Sequence, residues 1–289
     1  MKDYRKKGFQ SFISLTLIIT MLFVFFMSLS AYAGDDLIKA AYRGDIKAVN
    51  ALLAKGADIN AKDKDGLTAL ILASQQGHGA IVKALLAKGA DVNARHKDGG
   101  TALIMASTQG FTDIVKALLE KGADINAKRN NVTALFMASQ EGHADVVNAL
   151  LEKKADINAK ENSGASPLYI AAQNGHTDVV KALLARGADA NTKRNNGVTA
   201  LYKSSSKGYS SVVDALLVKG ADINARQLSG TPALMIATLN GHPNVVKVLL
   251  AKGADVNAKH DYGATALEIA QDKGRTEIIQ LLKKAGAKK

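Results

Sequence analysis

Apolar residues along most of the chain follow two alternating helical patterns. Residues 62–94 show both patterns. Thr68 precedes a first run with Leu70, Leu72 and Ala73, and Gly77 follows it, as expected of a capped helix ended by a left-handed residue. The second run, about 79–87, places Ile81, Val82, Leu85 and Leu86 at helical spacing before Gly89. This stretch therefore predicts helix, turn, helix and an extended loop.

The same pattern recurs with a fixed period. An aspartate in the string Gly-Ala-Asp, or Lys-Ala-Asp at 156, recurs every 33 residues, with one interval of 32, at positions 58, 91, 124, 156, 189, 222 and 255. Two short helices cannot bury their apolar faces alone, but stacked neighbours can. We therefore predict an all-α solenoid over residues 34–289, with about eight helix pairs. The units are about 35–61, 62–94, 95–127, 128–159, 160–192, 193–225, 226–258 and 259–289.

The repeated unit resembles the ankyrin repeat. The resemblance rests on the 33-residue period, the T-x-L-x-x-A helix start, the Gly-His helix junction and the closing L-L-x-x-G-A-D-x-N. It implies short projecting β-hairpin loops and a concave surface, formed by hairpin tips and first helices, that binds other proteins. Carried onto this chain, the partner-binding candidates are Phe136, Tyr169, Tyr202, Gln140, Gln173, Asn174, Leu228, Leu239 and Tyr262.

Three of these candidates are aromatic and lie in register on successive repeats. Phe136, Tyr169 and Tyr202 occupy the position where the family pattern has a histidine. Aromatic residues at an uncharged centre are typical of interface anchors. The alternative is that the rings fill the space left by the missing histidine.

Two lysines depart from the repeat pattern. Lys154 replaces the glycine that ends the second helix, where a left-handed residue other than glycine costs roughly 1 kcal/mol. Lys203 stands where other units have an apolar residue, so it must extend its amine to water or find a partner. We interpret Lys203 either as drift or as a weak joint in the array.

The N-terminus has the pattern of an export signal. Four cations within residues 2–7 precede an apolar run over 12–29, and Ala31, Ala33 and Gly34 follow as a small-residue cleavage site. We predict a cleavable signal peptide over 1–33 and a periplasmic or extracellular location. The alternative is an uncleaved anchor in the inner membrane, since the run approaches spanning length.

Composition excludes several kinds of chemistry. The chain has no cysteine, which rules out disulfides and thiol catalysis, and it carries a formal charge of +12. Each hairpin begins with a cation, at positions 62, 95, 128, 160, 193, 226 and 259. This row of cations is consistent with a role in the repeat framework and in solubility. It is also consistent with binding to an acidic protein surface, an anionic lipid or a glycan. Interrupting acidic residues and the export signal argue against nucleic acid.

Nothing in the sequence nominates a catalytic or metal site. His78, His143, His176 and His242 share one phase of the repeat. Equivalent positions lie about 10 Å apart per repeat, which is too far for these histidines to share a zinc ion. We expect them to pack and cap the helix junctions. The repeated aspartates each follow a helix exit, where they are expected to bond turn N–H groups.

We therefore predict a non-catalytic, monomeric protein-binding module with no cofactor. Two alternatives remain open. One is a structural scaffold tethered to the membrane by an uncleaved N-terminal helix. The other is an inhibitor of an exported enzyme.

Overall fold

The computed structural model describes residues 36–227 and 230–288. Within them lie eight pairs of helices and one two-stranded hairpin. The signal segment, with Ala31, Ala33 and Gly34, and the candidate Leu228 lie outside the described residues. The helices are α1 (Asp36–Arg43), α2 (Ile46–Ala54), α3 (Ala69–Gln76), α4 (Gly79–Ala87), α5 (Ala102–Gln109), α6 (Thr112–Glu120), α7 (Ala134–Glu141), α8 (Ala144–Glu152), α9 (Pro167–Asn174), α10 (Thr177–Ala185), α11 (Ala200–Lys207), α12 (Ser210–Val218), α13 (Ala233–Asn240), α14 (Pro243–Ala251), α15 (Ala266–Asp272) and α16 (Thr276–Lys284).

Most of the first helices are capped at their N-terminus by a side-chain hydroxyl. The Thr68 hydroxyl accepts a hydrogen bond from the Ile71 N–H at 3.2 Å, and this cap recurs at Thr101, Thr133, Ser166, Thr199 and Thr265. Helix α13 follows Pro232, which provides no such cap. Gly77, with φ of +80°, ends α3 as predicted.

Equivalent helices stack on each other along the array. First helices of each pair contact first helices of the neighbouring pairs, and second helices contact second helices. The core is a continuous apolar layer between these two rows, and includes the fully buried Leu70, Ile71 and Leu85. The predicted all-α solenoid of eight helix pairs is confirmed.

The loops between pairs form short hairpins. Strands β1 (Lys128–Arg129) and β2 (Val132–Thr133) pair antiparallel around Asn130 and Asn131. These two asparagines have φ of 48° and 67°, as two-residue hairpin turns require. This tight turn accounts for the one 32-residue interval. Single bridges, Lys193–Thr199 and Lys259–Thr265, mark two of the other hairpins.

Hydrogen bonds between neighbouring loops form a regular ladder. Asp91 accepts from the Asn93 N–H at 2.9 Å, and its own N–H donates to Asn60 of the preceding unit at 2.8 Å. In each later unit the equivalent asparagine side chain accepts a hydrogen bond from a backbone N–H of the following unit. These asparagines are Asn93, Asn126, Asn158, Asn191, Asn224 and Asn257. The structure thus confirms a framework role for the repeated aspartates.

Four histidines join neighbouring units at the helix junctions. Nε2 of His176 lies 2.9 Å from the Gln140 carbonyl oxygen, and His78, His143 and His242 make the same contact with the preceding unit. Their side chains form no cap hydrogen bond with their own helices, but the carbonyls that they contact lie in the last turn of the preceding first helix. The ring also packs against the left-handed glycine of the unit before. The predicted packing and capping at helix junctions is therefore confirmed, with the capped helix in the preceding unit.

Candidate functional site

The solvent-facing side of the first helices is the surface that the resemblance assigns to partners. In α3, only Gln75 and Gln76 are solvent-accessible, and Leu72 lies on the same side one turn earlier but is buried. We call the set of residues at these three positions in α3 to α15 the inner face. From α7 onward the apolar member is only half-buried, at Met137, Ile170, Ile236 and Ile269. The inner face is therefore more apolar toward the second half of the array.

The row of three aromatics is mostly inside the stack. Phe136 and Tyr169 expose only 6% and 3% of their surface, whereas Tyr202 is half-buried. They occupy the position of the fully buried Ile71 and Ile104, which points between neighbouring helices. Phe136 and Tyr169 thus fill space in the core, and their prediction as accessible anchors was wrong. Of the three rings, Tyr202 alone remains accessible to a partner.

The other candidates have different surroundings. Gln140 and Gln173 are half-buried on the inner face, and the exposed Asn174 amide donates to the Gln140 carbonyl oxygen at 2.9 Å. Leu239 of α13 is 40% exposed, where earlier units have polar residues. Tyr262 is 89% exposed on a hairpin and lies edge-on to the His260 ring. Gln140, Gln173, Asn174 and Leu239 thus belong to the inner face, Tyr202 precedes its member Lys203, and Tyr262 lies on a hairpin apart from it.

Acidic residues on the hairpins are held by their neighbours. Burial raises the pKa of Asp98, but hydrogen bonds with His96 and the Gly100 N–H, together with the Arg129 guanidinium, outweigh it and lower that pKa. Arg129 Nε lies 2.6 Å from Asp98 Oδ2. The predicted cations at the hairpin starts, such as Lys62 and Lys193, are exposed. Charge on these hairpins is thus partly neutralised in the third and fourth units.

A cationic group lies beside the inner face in the fifth and sixth units. The Arg194 guanidinium lies 5.2 Å from the centroid of the Tyr169 ring, and its Nε donates to Ser163 Oγ at 3.0 Å. Burial lowers the pKa of the half-buried Lys203, and the nearby cations Lys207 and Arg194 lower it further. Sequence patterns single out Lys203, but Arg194 and Ser163 are missed because hairpin residues vary between units.

A second surface lies on the opposite side of the array. A groove of about 640 Å³ runs between α10, α12 and α14, lined among others by Leu184, Ser211, Asp214, Val218 and Val248. Val218 is 61% exposed. Most equivalent positions hold alanine or a charged residue, so the periodic pattern alone marks Val218 as an exception.

The part of the chain that the structure describes contains neither a metal-binding group nor a membrane-spanning helix. In residues 36–227 and 230–288, histidine, aspartate and glutamate form no group able to hold a metal ion. Within the same residues, no helix is both long enough and apolar enough to span a bilayer.

Comparison with known proteins identifies the repeats. A family model described as "Ankyrin repeats (3 copies)" matches residues 37–129, 89–161, 135–227 and 208–289. Among solved structures, the human ASB11 ankyrin repeat domain is similar, with a TM-score of 0.70 and 29% identity over 77% of this chain and 99% of that domain. No curated protein matches the sequence.

Proposed function

Because the chain belongs to the ankyrin-repeat family, whose fold is generally a non-catalytic protein–protein interaction module, we propose that it binds a partner protein through its inner face. The observation that carries this proposal is the uncovered apolar surface on the second half of that face. Ile170 and Ile236 are half-buried there, Leu239 is exposed, and the half-buried Tyr202 lies next to Lys203 at the edge of this face. Apolar residues surrounded by amides match the centre and rim of a protein interface.

The rigid stack favours such binding. The side-chain hydroxyl caps, the asparagine ladder and the histidine contacts hold the first helices in place before any partner binds. Little conformational entropy is then lost on association, so modest contacts from several units suffice. The chain acts as a monomer in this proposal, and needs no cofactor.

The test is a cross-linked capture with a matched pair of variants. Leu239→Arg changes the inner face, whereas Val218→Arg changes an exposed apolar residue on the second helices. We expect the first variant to lose a partner that the unchanged chain and the second variant retain. Removing a buried anchor at an interface centre weakens binding by roughly tenfold or more. Loss with Val218→Arg alone would move the interface to the groove on the opposite side.

We further propose that the chain is exported and acts in the periplasm. The support is the basic, apolar and small-residue order of residues 2–34, ending at Ala31-Tyr32-Ala33-Gly34. Ala33→Leu should block cleavage and retain a longer chain in the membrane fraction. If the variant is still cleaved like the unchanged chain, cleavage does not occur after Ala33. If both chains remain uncut in the membrane fraction, the membrane-tethered alternative is favoured.

A further inference from the structure

Lys203 interrupts the apolar row of the inner face. The equivalent residues in the units on either side are Ile170 and Ile236, both half-buried like Lys203 itself. A lysine stem can replace the apolar packing of isoleucine, but its ammonium group then sits beside partly desolvated surface. In residues 36–227 and 230–288, no carboxylate forms an ion pair with it.

Two further cations lie close to this ammonium group. Lys207 follows one helical turn later in α11 and is exposed, so the two lysines share a face. Arg194 reaches the same region from the hairpin that precedes α11. Burial together with these two positive charges lowers the pKa of Lys203. The neighbourhood therefore favours an arriving negative charge.

Among the residues that the structure describes, no carboxylate forms an ion pair with Arg194. Arg129 pairs with Asp98, which lies three residues before the cap of α5. The residue three before the cap of α9 is Ser163, and Arg194 donates to its neutral hydroxyl instead. The array thus builds the same arginine contact twice, with the carboxylate present only in the first.

One acidic residue lies near, and it is already occupied. The Glu161 carboxylate accepts hydrogen bonds from the Ser163 N–H at 2.9 Å, the Ala165 N–H at 3.2 Å and the Ser163 hydroxyl. It faces Arg194 and contributes one negative charge against three positive charges. A net positive site remains at Arg194, Lys203 and Lys207.

We propose that Arg194, Lys203 and Lys207 form a carboxylate-binding site on the inner face, which receives an acidic segment of the partner protein. This inference rests on the proposed function and adds the chemistry of the contact. Charge-assisted hydrogen bonds to partly desolvated cations are stronger than those at an open surface. The flanking Tyr202 and Ile236 would contact the apolar parts of the same segment.

The surroundings favour an acidic protein segment over a nucleic acid. Residues equivalent to Lys207 from α3 to α13 are Gln76, Gln109, Glu141, Asn174 and Asn240, and the equivalent in α15 is Lys273, which pairs with Asp272 at 2.9 Å. A phosphate backbone would need cations along the whole row, since each neutralised phosphate adds to its affinity. The inner face offers a single cluster instead, which suits a short group of carboxylates.

The experiment titrates the purified full-length chain with a blocked tetraglutamate peptide, with side-chain NMR of the lysine ammonium groups as readout. We expect saturable shifts at Lys203 and Lys207 that a tetraglutamine peptide does not cause. Lys203→Ile, which restores the residue type of the neighbouring units, should weaken binding about fivefold or more, the effect of one charge-assisted contact. Lys181→Gln, an exposed lysine on α10, is the matched control and should leave affinity unchanged.

Three outcomes would overturn this site. They are the absence of shifts, equal shifts with tetraglutamine, and tighter binding of a short oligothymidylate that Lys203→Ile abolishes. The site and the proposed function also fail separately. Partner capture that survives Lys203→Ile but is lost with Leu239→Arg overturns the carboxylate site alone. Peptide binding at Lys203, with no partner sensitive to Leu239→Arg, overturns the proposed protein interface and leaves the anion site standing.

Discussion

Replacing Lys154 with glycine should stabilise the fourth unit. Lys154 has φ of 65° at the position where the other seven units have glycine, for example Gly187 with φ of 88°. A left-handed conformation costs a residue with Cβ roughly 1–2 kcal/mol. Removing this cost is partly offset, because glycine loses about 0.5–1 kcal/mol more backbone entropy on folding than lysine does. The net expectation for Lys154→Gly is a stabilisation of about 0.5–1 kcal/mol.

Urea denaturation and hydrogen exchange measure this change at two scales. The free energy of unfolding from denaturation reports the whole array, and exchange of the Ala155 amide, which donates to the Leu150 carbonyl oxygen at 3.1 Å, reports the end of α8. In Lys154→Gly the free energy of unfolding should rise and the Ala155 amide should exchange more slowly. Local exchange is the sharper readout, because repeat arrays depart from two-state unfolding.

Two control variants separate backbone strain from other effects. Lys153→Gly removes a neighbouring lysine where φ is −93°, so it should destabilise by about 0.5–1 kcal/mol through entropy alone. Gly187→Lys places a lysine in the left-handed conformation, with no atom within 4 Å of the new Cβ, and should cost about 0.5–1 kcal/mol. The reasoning is refuted if Lys154→Gly leaves stability unchanged or lowers it.

Three other substitutions test the links that hold the array together. Gly77→Ala should cost roughly 2–4 kcal/mol in thermal or urea unfolding, because its Cβ would lie 2.6 Å from the Phe111 ring, whereas Gly89→Ala, with open space around it, should cost only about 1 kcal/mol; equal losses would contradict the close-packing argument. Because the pKa of Asp98 is lower in the folded chain than its ordinary value of 3.8, the ionised carboxylate stabilises the fold at pH values above 3.8. This contribution is lost as the pH falls below 3.8 through the pKa of the folded state. Asp98→Asn should therefore flatten the loss of stability measured below pH 4, and a pH profile identical to the unchanged chain would refute this. Asn126→Ala removes the acceptor for the next unit's backbone N–H and should cost about 0.5–1.5 kcal/mol in urea unfolding, with faster amide exchange at that loop as the local sign; an unchanged exchange rate would show that water replaces the link.

Periodic features of the fold were predictable from sequence, because each depends on residue types at fixed spacing. The caps at Thr68 and its equivalents, the left-handed glycines and Lys154 follow from local backbone requirements. The accessibility of Phe136 and Tyr169 did not follow, since the repeat register gives a position but not the depth to which a larger ring enters the stack. The junction role of the histidines was predicted but their acceptors were not, because these carbonyls belong to the preceding unit, 35 or 36 residues away.

The candidate site was predictable only in part. Lys203 breaks a periodic apolar position, so the sequence alone marks it as unusual. Arg194 and Ser163 lie on hairpins whose residues change from unit to unit, and their contact spans 31 residues. The repeat register aligns Ser163 with Asp98 two units earlier, but it does not indicate which side chain on the next hairpin contacts either residue. The side-chain contact becomes evident only when the hairpins are placed beside each other.

The regular offsets of the links between units have a consequence for how such a chain changes length. Each asparagine link joins residues about 31 apart, and each histidine link joins residues 35 or 36 apart, always between adjacent units. Duplicating or deleting an interior unit therefore regenerates the same asparagine donors and acceptors at the new junction, and the histidine contact wherever the unit carries the histidine. Tandem duplication alters the reach of the binding surface in whole-unit steps, while substitutions such as Lys203 alter its chemistry one unit at a time.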